Sequence, residues 1–190
     1  MLHLDKRGIR VLGIAESFTK GRKKAALAGV VMRGDLQIDG FAFSKITLGG
    51  IDATRGVIEI FQKLNRSDIN AIILNGCIIS LFNIIDLEEV HDITELPLLC
   101  VTYEESPGIE KYLRDLDNSE FRLRLYKKLG KREEIWLHTG KKVFVRYLGM
   151  KKKEASALLN KFTLQGSIPE PLRVARLLAR AINAAFPKEF

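Results

Sequence analysis

Three arginines, Arg173, Arg176 and Arg180, recur three and four residues apart near the end of the 190-residue chain. That spacing puts them on one face of a helix. Guanidinium groups near a helix start suit an anion, because their forked donors and the free backbone N–H groups attract the same charge. Acids suited to metal or proton chemistry are few and scattered. Glu16 ends one apolar run, Asp52 precedes a helical pattern, Asp39 and Asp86 sit at turn or cap positions, and Glu104-Glu105 lies on a loop. Asn75, followed by Gly76, closes another apolar run.

Basic charge is concentrated. Between Arg122 and Lys153 twelve Lys/Arg face only Glu133 and Glu134, in a chain whose net charge is +8, so the remainder is slightly acidic. Lys127, Lys128, Lys141, Lys142, Arg146, Lys151 and Lys152 fall in this window, interleaved with Tyr126, Trp136 and Tyr147. Such clustering points to a polyanionic partner, nucleic acid above all; the bland alternative is a solvated lysine-rich surface. The aromatics are expected to pack before they stack on bases. His3, His91 and His138 are scattered and read as satisfied surface or capping groups.

Much chemistry is excluded. Gly21-Arg22-Lys23-Lys24 lacks the glycine frame of a phosphate-binding loop, and no GxGxxG is present. Cys77 and Cys100 lie in apolar runs without ligand spacing, so buried free thiols in a reducing cytoplasm are expected. No signal peptide and no apolar run of membrane-spanning length are seen, which predicts a soluble cytoplasmic protein without a membrane partner.

Elements must carry these groups. Apolar runs at 9–14, 25–32 and 36–46, with Arg33-Gly34-Asp35 as a turn, predict an antiparallel meander. Asp52 is placed to cap a helix through Leu64. Strands follow at 71–74 and 96–101, with a helical pattern at 84–91 between them. Helices are predicted at 107–116 and 120–129, a β pair at 135–137 and 143–147, and helices at 152–162 and 171–185. Ser167 and Glu170 have capping-box spacing before the last one, with Pro171 in its first turn. A meander followed by strand–helix alternation gives an α/β mixed sheet flanked by helices. Its sites are expected beyond the carboxyl ends of the central strands, at Ala15-Glu16 and Asn75-Gly76. One domain over 1–190 is expected, with a basic β-helical elaboration at about 118–165.

Several segments carry a resemblance: GIAESF (13–18), GVVMRGDLQIDG (29–40), GGIDATRGVIEI (49–60), ILNGCIISLFNIIDLEEVH (73–91), LPLLCV (96–101) and GSIPEPLRVARLLA (166–179). Together they resemble an archaeal family known as domain of unknown function 99, a relative of endonuclease V. The resemblance implies a ribonuclease H-like fold and, in the relatives, magnesium-dependent cutting of strands near deaminated purines. Magnesium takes hard oxygen ligands, and phosphodiester hydrolysis needs it to activate water and steady the leaving oxygen. Carried over residue by residue, the first-strand acid falls on Ala15, the helix-start acid on Asp52, the fourth-strand acid on Asn75 and the final-helix histidine on Arg176. Only Asp52 remains acidic. Glu16 is the best rescue, yet alternation along a strand turns it away from the Ala15 face.

The leading expectation is therefore a nucleic-acid-binding protein with a degenerate metal site, no cofactor and no catalysis. Arg173 and Arg176 would hold phosphate, and Asn75 would hydrogen-bond the strand. The alternatives are a magnesium- or manganese-dependent endonuclease using Asp52, Glu16 and one of Asp39 or Asp86, and a protein-interaction scaffold whose basic face meets an acidic protein; the bland role for Arg176 is a salt bridge to Asp52 or Glu16.

Overall fold

The computed structural model describes residues 8–187 and Glu189; His3 lies outside them. β1 (Arg10–Ser17), β2 (Lys24–Arg33) and β3 (Ile38–Thr47) form the antiparallel meander, with Ala15 opposite Ala28 and Ala28 opposite Phe43. Helix α1 (Ala53–Leu64) crosses over to β4 (Ala71–Leu74), which runs parallel to β1. A small hairpin, β5 (Ile78–Ile79) and β6 (Asn83–Ile84), leads into α2 (Leu87–Thr94) and then β7 (Leu98–Thr102), parallel to β4. After α3 (Glu110–Leu113) and α4 (Ser119–Lys128), β8 (Glu133–Trp136) and β9 (Lys142–Leu148) extend the same sheet. Helices α5 (Lys152–Phe162) and α6 (Glu170–Ala185) follow. The seven strands are ordered β3-β2-β1-β4-β7-β9-β8.

Side-chain alternation gives the sheet two apolar faces. Leu12, Ile14, Leu27, Leu74 and Cys100 pack with Val57 and Ile60 of α1 and Val90 of α2. Val11, Ile73, Leu99 and Val145 pack on the other side with Leu158 and Phe162 of α5 and Leu172 of α6. Helix α6 lies low over β1 and β2 because the packing there is built from small residues: Ala15, Ala26 and Ala28 below, Ala175 and Ala179 above. Gly13 sets the closest approach. A Cβ there would stand 2.6 Å from the Pro171 Cβ and 2.7 Å from its carbonyl carbon.

The structure corrects several expectations. The pattern at 84–91 is strand β6 followed by a helix that starts only at Leu87, with Asp86 accepting from the Glu88 and Glu89 N–H groups as its cap. The predicted helix at 107–116 is a single turn, Glu110–Leu113. The Ser167–Glu170 capping box does not form. Pro169 is the N-cap, and Glu170 instead pairs with Arg173. The reason lies in Ile168, which precedes a proline and is pushed out of helical geometry, so the helix starts later than the spacing implies. Asp52 stands at the N-cap of α1, but its carboxylate makes no cap hydrogen bond.

Cys77 and Cys100 form a disulfide, with Cα atoms 6.1 Å apart, which overturns the expectation of free thiols. β4 and β7 are neighbours with Leu74 opposite Cys100, and the chain past Gly76 turns back over the same face, bringing Cys77 to it. At the other end of the sheet, α1 and the residues after it reach over edge strand β3. Lys63 Nζ donates to the Phe43 carbonyl (2.9 Å), and Arg66 donates to the Asp39 carbonyl while pairing with its carboxylate.

Candidate functional site

β1, β4 and β7 are parallel and end together, so their carboxyl ends bring Ala15, Asn75 and Tyr103 to one edge of the sheet. On the α6 face, Ala15 is buried against Val30, Val174, Ala175 and Leu178. Tyr103 donates its hydroxyl proton to Asn75 Oδ1 (3.0 Å). Burial pushes the Tyr103 phenol well above its usual range, and the nearby positive charge of Arg176 draws it part of the way back. Arg176 comes from α6, half-buried, and has no ion-pair partner among the described residues. The fold thus unites Ala15, Asn75 and Arg176 as the resemblance implied, and adds Tyr103. No motif marked Tyr103; its place one residue beyond β7 is the signal that was available.

The two acids lie elsewhere. Glu16 points to the α1 face and accepts hydrogen bonds from the Ser80 N–H (2.9 Å) and the Ser80 hydroxyl. It holds a strained turn, since Ser80, Leu81 and Phe82 all have positive φ (44°, 59° and 68°). For residues with a Cβ that conformation costs about 1–2 kcal/mol each. The Gly49 N–H also donates to the Ser80 carbonyl (2.7 Å), and Arg122 donates to the Phe82 carbonyl (2.6 Å). Arg122 is buried and spends its other donors on the Gly49, Gly50 and Asp117 carbonyls, so it belongs to the core and not to a basic surface.

Burial raises the Glu16 carboxyl above its ordinary 4.5, against the opposing pull of the Ser80 N–H. A carboxyl raised on folding binds more protons folded than unfolded. Stability from this group should therefore fall as pH rises from 4.5 through the raised value. Glu16→Gln, which still accepts from Ser80, should flatten that slope, as checked by urea unfolding at about pH 4.5, 5.5 and 7. An unchanged slope would show that Glu16 is not responsible.

Asp52 is tied down completely. It accepts from the Thr47 N–H (2.9 Å), the Thr47 hydroxyl (2.7 Å) and Asn83 Nδ2 (2.7 Å). Burial acts to raise its carboxyl, but these hydrogen bonds outweigh it and hold the group below 3.8. Asn83 in turn donates to the Thr47 carbonyl and accepts from the Ala53 N–H. Asp52 therefore buckles the meander to the start of α1.

The donor set does not fit the relatives' magnesium. Alanine offers no ligand, Asn75 offers one neutral oxygen already bonded to Tyr103, and Arg176 repels a cation. Among the described residues no group of three or more His, Cys, Asp or Glu could hold a metal ion.

The basic window is only partly free. Lys128 pairs with Asp86 and Glu88, Lys142 with Glu105 and Glu134, and Lys152 with Glu133; outside the window, Arg173 pairs with Glu170. The Lys151 N–H is capped by Glu154 (2.8 Å). Lys127 and Lys141 have no ion-pair partner among the described residues, and Arg146 donates to the Gly130 carbonyl. Trp136 is 66% exposed on edge strand β8 instead of packed, and Tyr147 donates to Glu133. His91 and His138 are satisfied by the Leu96 carbonyl and Asn160. Among the described residues no helix is long and apolar enough to cross a membrane.

A meander continued by parallel strands, with helices on both faces and polar groups at the strand ends, is the ribonuclease H-like fold. The solved structure of Ciona intestinalis endonuclease V, in complex with a 24mer DNA containing an inosine followed by a ribo-adenosine, shares it. That likeness has a TM-score of 0.61 at 17% identity, over 94% of this chain and 87% of that one. A protein of unknown function from Archaeoglobus fulgidus superposes with a TM-score of 0.79 at 28% identity, over 92% of this chain and 98% of its own. The model of one family, endonuclease dU, matches residues 7–183, and the chain belongs to that family. A UPF0215 protein of Pyrobaculum aerophilum is 34% identical over 172 residues, covering 90% of this chain and 92% of the relative.

Proposed function

We propose that this protein binds a nucleic-acid strand across the carboxyl ends of β1, β4 and β7, with Arg176 as its central phosphate partner. The carrying observation is the unpaired, half-buried Arg176 beside the Tyr103–Asn75 pair. A guanidinium held away from carboxylates in a partly desolvated place suits phosphate oxygens. Asn75 Nδ2 adds a neutral donor to the same edge. The DNA bound by the Ciona relative supports nucleic acid as the partner class. Neither Asp52 nor Glu16 pairs with Arg176, so its charge stays open to a ligand.

A second reading, an endonuclease acting on dU-containing DNA, is favoured by one observation, the name of the family to which the chain belongs. It needs a catalytic arrangement other than the carboxylate cluster, since Glu16 and Asp52 are bonded elsewhere, to Ser80 and Thr47.

One paired assay separates the two. Labelled DNA and RNA strands carrying dU, inosine or no lesion are incubated with the protein in magnesium, manganese or a chelator. Salt-sensitive binding of intact strands in chelator is expected, since counterions are released when cations meet phosphates. Arg176→Ala should weaken that binding about tenfold, the scale of one charge-assisted hydrogen bond. Metal-dependent cutting of the dU strand would establish the endonuclease reading, and absence of binding would remove both.

A further inference from the structure

A cleft of about 580 Å³ opens between the loop after β7, the C-terminal end of α4 and strand β9. The loop leaves β7 at the same end of the sheet as Tyr103 and Asn75, while Arg146, opposite Cys100, lies on the α1 face, so a strand crossing the strand ends would pass over the end of the sheet to reach the cleft. Its volume matches a nucleotide-sized occupant. We infer that this cleft seats a phosphate group of the nucleic-acid strand that crosses the strand ends, a reading that rests on the function proposed above.

Arg146 is central. Its Nε donates to the Gly130 carbonyl (3.0 Å), which fixes the guanidinium within the cleft wall. Its remaining N–H donors have no partner among the described residues and are not sealed in the core. An anchored guanidinium with open donors is built for an anion. Burial pulls the Arg146 guanidinium below its usual range, with Tyr126 opposing the shift and the Arg132 charge adding to it. Arg132 is itself fixed by the Thr102 hydroxyl and the Glu104 carbonyl (3.1 and 2.9 Å). Lys127 and Lys131 line the rim without ion-pair partners among the described residues.

Three acids share the cleft. Lys142 bridges Glu105 and Glu134 (both 3.2 Å), one cation between two carboxylates, and Glu110 lines the cleft with no ion-pair partner among the described residues. Phosphate can reach the cleft as an internal phosphodiester or as a terminal phosphomonoester; the chemistry recognised is the same.

The test measures binding of a labelled single-stranded DNA oligonucleotide, with and without a 5′-phosphate, to the full chain over a range of salt. Deoxyuridine monophosphate and inorganic phosphate serve as competitors. The rim variant Lys127→Ala/Lys131→Ala, at exposed positions that do not endanger folding, should weaken binding about tenfold. It should lower the log–log salt slope by about 0.7 for each phosphate no longer neutralised. Arg146→Gln should weaken binding similarly, and Glu110→Gln should strengthen it. Equal losses for both oligonucleotides would assign an internal phosphodiester. Losses confined to the phosphorylated oligonucleotide, with competition by the mononucleotide, would assign a terminal phosphate. Unchanged affinity and slope in the cleft variants, while Arg176→Ala still weakens binding, overturns the inference and leaves the strand-end reading intact. No binding by the unaltered protein overturns both.

Discussion

Ala15→Asp should destabilise the protein by about 3 kcal/mol at pH 7, the low end of the cost of a buried unpaired ion because Arg176 at the same strand end offsets part of the charge, and should not restore a metal site. Ala15 is 2% exposed beneath α6, and Val30, Val174, Ala175 and Leu178 around it offer no side-chain donor. The small side chain is what lets Ala175 settle on β1, so even a neutral group of that size would lift the helix. For a chain of this length the loss amounts to roughly 6–12 °C in Tm. Its pH dependence identifies the cause. The introduced carboxyl would have a raised folded pKa, so its cost is present above the ordinary aspartate range and shrinks as pH falls toward about 4. Urea unfolding at about pH 7 and pH 4, each with and without manganese, checks both halves. A variant as stable as the parent, or one stabilised by manganese, would mean that a latent ligand site survives at this strand end.

Reducing the disulfide, or replacing both cysteines with alanine, should cost about 3 kcal/mol. Cys77 and Cys100 are 23 residues apart, and closing a loop of that length restricts the unfolded chain by about that amount in the chain-entropy account. Melting should fall by roughly 6–12 °C. The bond joins the segment after Asn75 to β7, so it also ties together the two strands that present Asn75 and Tyr103. Thermal unfolding of the oxidised protein, the reduced protein and the Cys77→Ala/Cys100→Ala variant measures the effect. Three identical melting temperatures would show that the pairing contributes nothing to stability.

The long elements were legible because each carries a strong period and a marked end. The meander, α1, α5 and α6 follow directly from apolar spacing and from turns such as Arg33-Gly34-Asp35. β5 and β6 span two residues each, too short for any period to register. The turn between them takes its left-handed backbone from Ser80, Leu81 and Phe82, residues that do not advertise such a conformation, and it persists because Glu16, Gly49 and Arg122 hold it from outside. For the same reason the role of Glu16 was half readable. Alternation placed it on the far face, but its partner lies 64 residues away. The gathering of Ala15, Asn75 and Arg176 followed from the resemblance; Tyr103 and the disulfide depend on β7 lying next to β4, which no local pattern encodes. The basic window misled in one respect. Its charge is a property of composition, whereas pairing with Asp86, Glu88, Glu105, Glu133 and Glu134 is a property of the fold.

The reach of Lys63 and Arg66 over β3 bears on how copies of this protein meet. A ten-residue strand at the margin of a sheet invites a neighbour to zip on by backbone pairing, and the exposed Ile38, Phe41 and Phe43 would add adhesion. Here two of the carbonyls that such a neighbour would need are already occupied by side chains of the same molecule. Runaway polymerisation along this margin is thereby discouraged at little cost in sequence, since both side chains also serve local ion pairs, Lys63 with Glu59 and Arg66 with Asp68. Self-association on this side is thereby steered away from the rim of β3 and toward its exposed aromatic face.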